Sequence, residues 1–445
     1  MSVVLLVKRV VGWFVMPPLR LALLTTAAIV LPAAALLRHG RVRRTLVWGP
    51  KPIISNRYWS GAMRAAGWDS MTLMRGVYSI NEREDFDRYI DDLVPRWFRP
   101  KTLRSRASCY LAALFVIRHA GVLHIPMSGG PLDVTPLRRW EATLLRWAGV
   151  RVIALPYGGD FYRYSRVMDT SLRQGLLLSY PDGARRERDI AERVDYWVRN
   201  ADALLSGYQI DGLGRWDVCC FCHFVTDVEL WKPRDQASDH DGRSGPVRIL
   251  HAPNHRGFKG TEFVVAAVEE LQRRGVQVEL ELLEGVPNNE LRERMASADI
   301  HVDQLIATGY AMNAIEAMAS GLPVIANLEN EAYTRLFRRW SYLDECPVVS
   351  TTPETVTRNL EVLIRNPELR RQLGSASRLY AEKYHSYATA QYVFGAVYDK
   401  ILDGHDVDLM RLFHPITSEY NRRRPRVEHP LCESRLPAAL LGGAE

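Results

Sequence analysis

The chain has 445 residues, of which 47% are hydrophobic and 24% charged, a composition typical of a folded protein with room for two domains. Its formal net charge is +7 at pH 7, and seven basic residues precede residue 45 while no acidic one does, so residues 45–445 are formally balanced. No basic groove interleaved with aromatic residues follows, and the pattern therefore excludes nucleic acid as the expected partner.

The first predicted element is the segment 1–44, which is apolar and basic. Its uncharged runs cover 10–19 and 21–37, and the longer run is at the lower limit for crossing a bilayer. Three modes stay open: a signal peptide cleaved near the alanines at 33–35, a membrane span or hairpin, and an interfacial helix with arginines at the headgroups. We expect membrane association at the cytoplasmic face of the inner or plasma membrane. The alternative is a helix packed on the protein's own surface.

Residues 45–232 alternate between strand and helix patterns. The strands and their following loops are "RTLVWGP", "SMTLMRGV", "GVLHIPMSGG" and "VRVIALPYGGD". The helices are "NRYWSGAMRAAG", "TPLRRWEATLLRWAG" with Thr135 as N-cap, and "ERDIAERVDYWVRNADALLSG". Such alternation predicts parallel βαβ units and hence an N-terminal Rossmann-like domain.

A polar, turn-rich stretch at 233–246 is the best domain boundary. Alternation resumes over 247–385, which predicts a second Rossmann-like domain. A strong helix over 386–402 and a mixed tail over 403–445 follow. The predicted fold class is thus α/β, with two domains facing each other across a cleft, and ligands are expected beyond the carboxyl ends of the strands.

The cysteines do not form a recognisable metal or disulfide pattern. Cys219, Cys220, Cys222 and His223 fall within "WDVCCFCHFV", which predicts a buried strand whose neighbouring side chains point to opposite faces. No second cysteine pair completes a tetrahedral site, so we expect reduced structural thiols and no metal.

Two loops of the C-terminal half carry the candidate ligand-binding residues. GxGxxG and the P-loop pattern are absent, so no nicotinamide cofactor is expected. The loop "HAPNHRGFKG" follows a strand and opens a helix, and its Asn254, Arg256 and Lys259 suit a diphosphate. The second loop precedes a helix predicted from about Ala311 to Ser320, whose N-terminus favours phosphate.

Glu316 lies on the second turn of that helix. Its two acceptor oxygens suit the diol of a ribose. A carboxylate facing solvent or paired with an arginine is the alternative.

The stretch "GYAMNAIEAMASGLPVI" resembles the nucleotide-sugar signature of family 4 glycosyltransferases, which are retaining enzymes of the GT-B fold. In the same chain, "FVTDVELWKP", "KGTEFVVAAVEEL" and "YATAQYVFGAVYDKIL" resemble other segments of that family in the family's order. The resemblance covers about residues 45–402 and is stronger in the C-terminal half.

The resemblance implies a role for each matching position. Glu316 would hold the ribose and Lys259 the diphosphate, with Asn254 at the position of a family arginine and Arg256 as its substitute. The backbone that would face phosphate and sugar belongs to Gly309, Tyr310, Ala311 and Met312. Thr308 stands where the family has a glutamate that contacts the donor sugar, and Ala311 stands in place of the family's second glycine.

Three loops of the N-terminal domain are expected to face the cleft on the acceptor side, and they contain Gly49, Gly129, Gly130 and Asp160. His124, at a strand end, is expected to touch the donor sugar or the acceptor hydroxyl, so His124 and Thr308 are the candidate catalytic residues. A core histidine is the alternative for His124, and a turn cap the alternative for Asp160.

The sequence thus predicts a glycosyltransferase of the hexosyltransferase type, which moves a sugar from a nucleotide diphosphate sugar to a lipid-linked, cell-envelope or exopolysaccharide glycan. It would work at a membrane surface without a metal or other cofactor. Two alternatives stay open: a sugar-nucleotide epimerase of the same fold, and a non-catalytic nucleotide-binding or scaffold protein, which the threonine at position 308 favours.

Overall fold

The computed structural model describes residues 16–40, 43–98, 101–207, 210–220, 224–234 and 238–441. Two parallel sheets, one of seven strands and one of five, form the frame of the molecule. Helices cover both faces of each sheet, which is the α/β arrangement that the sequence predicts.

The N-terminal sheet consists of β1 (Leu46–Trp48), β2 (Ser70–Met74), β3 (Arg88–Tyr89), β4 (Val122–Ile125), β5 (Arg151–Ala154), β6 (Ala203–Ser206) and β7 (Val218–Cys219). Their order is β3-β2-β1-β4-β5-β6-β7, and every neighbouring pair is parallel. The strand order reverses between β1 and β4, and a crevice forms at such a reversal beyond the carboxyl ends of the strands.

The helices of this half are α1 (Met16–Arg38), α2 (Ile54–Ala65), α3 (Lys101–His119), α4 (Glu141–Trp147), α5 (Thr170–Ser179), α6 (Pro181–Arg185) and α7 (Glu187–Asn200). Two predicted helices differ in detail. Thr135 does cap its helix through Leu137 N at 3.2 Å, but the first turn, Pro136–Trp140, is a 3-10 helix and α4 begins only at Glu141.

The second difference concerns the end of α7. The helix predicted to continue through "ADALLSG" ends at Asn200, because Ala201 adopts an extended backbone, and the next residues form β6. β6 pairs with β5 on one side and with β7 on the other. Pairing within the sheet therefore overrides the helix propensity of alanine and leucine in this short run.

The C-terminal sheet consists of β8 (Val247–His251), β9 (Val278–Leu282), β10 (Ile300–Val302), β11 (Val324–Ala326) and β12 (Val349–Ser350), in the order β12-β11-β10-β8-β9 and all parallel. Its helices are α8 (Arg256–Lys259), α9 (Thr261–Arg273), α10 (Asn288–Met295), α11 (Met312–Ala319), α12 (Glu331–Trp340), α13 (Val356–Arg365) and α14 (Pro367–Tyr384). After them come α15 (Tyr387–Ile401), α16 (Glu419–Arg422) and α17 (Ala438–Leu441).

Helix α15 joins the two halves. It packs against α2 of the N-terminal domain, where Gln391 Nε2 donates a hydrogen bond to the carbonyl of Ala62 at 2.9 Å. One continuous core runs from the inner face of the first sheet to the inner layer of the second and includes Trp48, Met318 and Phe394. The two domains therefore share a hydrophobic base below the cleft between them.

Helix α1 runs unbroken from Met16 through Pro32 to Arg38. It packs on α3 and α4 through Ala27, Leu31 and Ala35, and Arg38 Nη1 donates to the carbonyl of Ile117 at 2.6 Å. Its opposite side exposes large apolar side chains: Leu19, Leu21, Ile29, Val30, Leu36 and Leu37.

Among the described residues, α1 is the single helix long and apolar enough to span a bilayer, with a mean hydropathy of 1.9. The run predicted at 21–37 lies within it. Most of the run at 10–19 falls in residues 1–15, outside the described ranges.

Candidate functional site

A cavity of about 310 Å³ lies between the two domains; we call it the cleft cavity. Its N-terminal wall comes from the segment before α2 and from the loops after β2 and β5. Its C-terminal wall comes from the loops after β8, β9 and β10 and from the start of α11. The cavity thus lies beyond the carboxyl ends of the strands, where open parallel sheets bind ligands.

Glu316 lies in the wall of the cleft cavity and is 2% exposed. Its Oε1 accepts hydrogen bonds from Tyr58 Oη at 3.2 Å and from Asn288 Nδ2 at 3.1 Å. Burial raises the pKa of this carboxyl to about 7, although both hydrogen bonds favour the ionised form. The carboxyl therefore faces the cleft from a dry position and titrates near neutral pH.

Lys259, at the end of α8, also lines the cleft cavity and is 5% exposed. Its Nζ lies 2.5 Å from Asp303 Oδ1 and 3.0 Å from Gln304 Oε1. Asp303 Oδ2 accepts a second hydrogen bond, from the backbone N–H of Ala311 at 2.8 Å. Asp303 therefore joins the buried ammonium to the start of α11.

The start of α11 supplies backbone donors. Ala311, Met312 and Asn313 line the cleft cavity, and the first N–H groups of a helix have no acceptor within the helix. Gly309 has φ +106°, which favours glycine, whereas Ala311 has φ −116°. Alanine therefore meets no backbone strain where the family has its second glycine.

The structure places three of the remaining predicted donor-side residues, Arg256, Thr308 and Tyr310, outside the lining of the cavity. Arg256 is exposed and forms ion pairs with Glu262 and Glu284 at 2.8 and 3.0 Å. Thr308 is buried and does not line the cleft cavity. Tyr310 is buried, and its hydroxyl bonds to Tyr380 and to His385, which leaves only its backbone near the ligand loop. Asn254, by contrast, lines the cavity as expected.

His124 has the environment of a core histidine. It stacks on Trp48 with ring centroids 3.5 Å apart, and its ring nitrogens lie 3.2 Å from the carbonyl of Val47 and 2.9 Å from Tyr398 Oη. Burial lowers its pKa to about 3. The structure does not bring His124 to the cleft cavity; the neutral ring ties β4 to α15.

The predicted acceptor-side residues shape loops rather than line the cleft cavity. Asp160 accepts hydrogen bonds from the N–H groups of Tyr157 at 2.9 Å and Ser128 at 3.2 Å, which is the turn-capping alternative. Gly130 N donates to Glu141 at 3.2 Å, and Gly129 has φ +113°. At Gly49, an added Cβ would lie 2.1 Å from the carbonyl oxygen of Leu73, so only glycine fits there.

Several residues of the cleft cavity were not predicted from the sequence. An aromatic group on the N-terminal side consists of Tyr78, Tyr157, Phe161, Tyr162 and Tyr180. The density of aromatic residues in "LPYGGDFYRY", directly after a strand, is a signal that could have indicated it. Flat aromatic faces suit a sugar ring or a base, because they exclude water and keep one orientation.

No metal site is found within the described ranges, where no three or more His, Cys, Asp or Glu side chains are placed to hold an ion. Cys219 and Cys220 are buried at β7, and burial raises the pKa of the Cys219 thiol to about 12. Cys222 and His223 lie outside the described residues, so the predicted absence of a metal remains a prediction.

Comparison with known proteins adds one family match. Residues 262–380 match the sequence model of the family described as "Glycosyl transferases group 1", a region that includes Glu316 and α11 but not Lys259. A search of curated proteins gave no match. The C-terminal half therefore carries a glycosyltransferase group 1 region.

Among solved structures, sucrose-phosphate synthase from Thermosynechococcus elongatus shares 13% identity over 81% of this chain and 100% of its own, with a TM-score of 0.45. A putative UDP-N-acetylglucosamine 2-epimerase from Listeria monocytogenes shares 11% identity over 82% of this chain and 99% of its own, with a TM-score of 0.48. An alpha-glucosyltransferase in complex with UDP and a 13-mer DNA shares 12% identity over 80% of this chain and 99% of its own, with a TM-score of 0.47.

All three TM-scores are below 0.5, so these similarities carry no argument about this chain. The arrangement itself, with two parallel-sheet domains around a cleft and a helix that crosses back, is the GT-B fold that the sequence predicted.

Proposed function

We propose that this chain is a glycosyltransferase that binds a nucleotide diphosphate sugar on its C-terminal domain and an acceptor on its N-terminal domain. One observation carries the proposal: Glu316, Lys259 and the N-terminus of α11 meet in a single cavity between the domains. A carboxylate suits ribose hydroxyls, and a cation beside backbone N–H groups suits a diphosphate. The group 1 match over residues 262–380 supports the same function.

In this proposal the chain stabilises the leaving group without a metal ion. As the bond between the sugar and the diphosphate breaks, negative charge grows on the phosphate oxygens, near Lys259 and the first N–H groups of α11. Donors fixed before the reaction stabilise such charge more effectively than water does. The acceptor oxygen forms the new bond to the sugar carbon, and its proton passes to an oxygen of the leaving nucleoside diphosphate. The resemblance to family 4 favours retention at the sugar carbon.

The acceptor that we propose is a lipid-linked or cell-envelope glycan, reached at the cytoplasmic face of a membrane. Helix α1 supports this idea, because it exposes an apolar side that includes Leu21, Ile29 and Leu37 while its other side packs on the N-terminal domain. Such a helix can lie in the interface with its apolar side in the lipid, and the exposed Arg43 and Arg44 that follow it can meet anionic headgroups.

A non-catalytic role is the second candidate, and two observations favour it. Thr308 replaces the glutamate that the family uses at the donor sugar, and it is buried. Lys259 is already neutralised by Asp303. The Thr308→Glu variant separates the candidates: a gain of turnover from a wild type with none would support the non-catalytic role.

A calorimetric titration tests the donor site. The wild type and Glu316→Ala are titrated with UDP, GDP, ADP and CMP, with and without magnesium, and Glu293→Ala on the exposed side of α10 is the matched control. We expect one diphosphate to bind without magnesium, Glu316→Ala to weaken that binding at least tenfold, and the control to bind like the wild type. Failure of all four nucleotides to bind the wild type would rule out the transferase.

A further inference from the structure

A second cavity, of about 410 Å³, lies in the N-terminal domain between the loop after β4, the 3-10 turn Pro136–Trp140 and α7. We call it the arginine cavity. Its lining includes Ser128, Gly129, Arg138, Arg193, Trp197 and Arg199. None of the roles proposed above uses this cavity.

The acidic residues around the arginine cavity already have their charges compensated. Asp133 pairs with Arg75 at 2.5 Å, and Asp195 pairs with Arg163. The wall also contains Glu192, which pairs with Arg139 at 2.9 Å.

The remaining acid, Glu141, is 2% exposed and accepts a hydrogen bond from Leu132 N at 2.8 Å. Burial raises the pKa of Glu141 to about 8, so this carboxyl is largely protonated at neutral pH.

The basic residues of the wall, in contrast, are not all compensated. Arg138 and Arg199 have no ion pair or side-chain hydrogen bond with any residue that the structure describes, whereas the charge of Arg193 lies near the carboxylate of Asp160 without a hydrogen bond to it. Two polar atoms in the wall, Arg193 Nε and Ser128 Oγ, are buried without a hydrogen-bond partner among the described residues. A buried donor without a partner is costly, and it therefore indicates a missing acceptor.

We propose that the arginine cavity binds the phosphate group of a ligand through Arg138, Arg193 and Arg199, with Ser128 as an additional donor. The planar guanidinium fork of arginine matches phosphate oxygens in pairs, and several arginines around one concave site bind an anion more tightly than a single exposed cation does.

The position of the arginine cavity points to the acceptor as the source of the phosphate, a step that rests on the proposed function. Asp160 holds the N–H groups of Ser128, in the arginine cavity, and of Tyr157, in the cleft cavity, so the two cavities share one wall. On the other side, the 3-10 turn continues into α4, which packs on α1. A phosphate bound here lies between the apolar helix and the cleft.

The first experiment titrates the full chain with inorganic pyrophosphate by calorimetry, with any nucleoside diphosphate that binds the chain present at saturation so that the diphosphate position beside Lys259 is already occupied. Arg193→Gln/Arg199→Gln removes two guanidinium groups from the arginine cavity, and Arg188→Gln on the same helix, with a side chain 93% exposed, is the matched control. We expect the double variant to bind pyrophosphate at least tenfold more weakly than the wild type, and the control to bind like it. Equal affinities in all three proteins, or no binding by the wild type, would overturn the proposal.

Two checks keep the result interpretable. Arg193→Lys keeps the positive charge but not the planar guanidinium group. We expect its affinity for pyrophosphate to lie between those of the wild type and the double variant. The nucleotide titration described above is repeated on the double variant, which should bind nucleotide normally. If the double variant loses pyrophosphate binding but still binds nucleotide, the phosphate binds in the arginine cavity. If the wild type binds no nucleotide, that result contradicts the proposed function and leaves the test of the arginine cavity unaffected.

A second experiment distinguishes the two sources of the phosphate by cosedimentation with phosphatidylcholine vesicles. One set contains a long-chain isoprenoid diphosphate and the other contains phosphatidylglycerol at equal charge. If the phosphate belongs to a lipid-linked acceptor, the double variant loses binding to the first set only. If the ligand is a soluble phosphate compound, the double variant loses pyrophosphate binding but sediments with both sets like the wild type.

Discussion

At the scale of single residues, the proposed role of the buried Glu316 carboxyl in ribose binding predicts how nucleotide binding responds to pH. Burial raises its pKa from an ordinary value of 4.5 to about 7, so the carboxyl is mostly protonated at pH 6 and mostly ionised at pH 8. An ionised carboxylate accepts hydrogen bonds from both hydroxyls of a ribose diol. A protonated carboxyl has one oxygen that donates instead, so it can accept only one of these two hydrogen bonds in the same geometry. We therefore expect nucleoside diphosphate affinity to rise about tenfold from pH 6 to pH 8 and then level off.

The matched variant for this pH dependence is Glu316→Gln, which keeps the shape but does not titrate. The second ionisation of the nucleotide phosphate also falls in this pH range and contributes to the dependence in both proteins. The difference between the two pH profiles, measured by calorimetry, isolates Glu316. Parallel profiles would show that this carboxyl does not bind the ribose.

Asp303 allows a second prediction, because it neutralises Lys259 in a buried position. Asp303→Asn keeps an acceptor for the N–H of Ala311 but leaves the ammonium unpaired. We expect the free energy of unfolding without nucleotide to fall by about 3 kcal/mol. Nucleoside diphosphate should restore part of this loss, because its phosphate supplies the missing negative charge.

The control for this prediction is the other buried pair of the C-terminal domain, Lys383 with Glu345 at 2.7 Å, which does not line the cleft cavity. Glu345→Gln should lower the free energy of unfolding without nucleotide by a similar amount. Added nucleotide should stabilise this variant no more than it stabilises the wild type. Both are measured by urea unfolding with and without nucleotide. Equal nucleotide effects in the two variants would place the diphosphate away from Lys259.

The sequence predicted single residues well where one loop or one helix carried the whole argument. Lys259 and Glu316 were found from their positions after a strand and on a helix turn, and both line the cleft cavity. Tyr58, which bonds to Glu316, lies 258 positions away in the other domain, so no local pattern could indicate it. Arg256 was assigned to the diphosphate, but only the fold shows that Glu262 and Glu284 hold it in solvent.

At the scale of secondary-structure elements, one glycine in each of the packed helices α2 and α15 gives a pair of opposite predictions. An added Cβ at Gly395 in α15 meets no atom within 4 Å, whereas at Gly61 in α2 it lies 2.9 Å from Tyr387 Oη. Gly395→Ala should therefore raise the free energy of unfolding by about 0.5–1 kcal/mol, the helix propensity gain of alanine over glycine. Gly61→Ala should gain less or lose stability.

Thermal unfolding of both variants, followed by circular dichroism, checks this pair. Because both substitutions give the same propensity gain, the difference in Tm reports only the contact between the helices. A Tm that rises equally in both variants would show that α2 and α15 do not pack as the structure describes.

The same scale shows which elements the sequence can and cannot define. Helix α11 was predicted from about Ala311 to Ser320 and spans Met312–Ala319 with those two residues as its caps, because one glycine turn and one helix pattern fix its ends. Strand β6, in contrast, was assigned to the preceding helix. Its four residues carry no strand pattern of their own, and only the pairing with β5 and β7 makes them a strand.

At the scale of the whole molecule, the two domains touch across the mouth of the cleft as well as at its base. Helix α5 of the N-terminal domain packs on α8, which carries Lys259. Farther along, Asn330 Nδ2 donates to Asp169 Oδ2 at 2.9 Å. The sequence predicted two domains and a cleft, but not this closed arrangement, because the contacts join residues on different domains that carry no recognisable motif.

The contact between α5 and α8 depends on a glycine, and this gives the last prediction. An added Cβ at Gly257 would lie 2.8 Å from Leu178 Cβ, so Gly257→Ala forces the two helices apart. In the proposed function the nucleotide binds the C-terminal domain, whereas sugar transfer needs both domains closed. We therefore expect Gly257→Ala to bind nucleoside diphosphate within about twofold of wild type while turnover falls at least about tenfold, since small misplacements of reacting groups are costly.

Small-angle scattering should show a larger radius of gyration for Gly257→Ala, and the second substitution Leu178→Gly, which removes the opposing Cβ itself, should restore part of the turnover. The two substitutions together distinguish a loss of domain closure from local damage around Lys259. Damage to α8 would weaken nucleotide binding, and a substitution at Leu178 would not restore turnover. Normal turnover in Gly257→Ala with a larger radius of gyration would mean that the open arrangement is equally competent, and an unchanged radius would mean that the contact between α5 and α8 does not depend on this glycine.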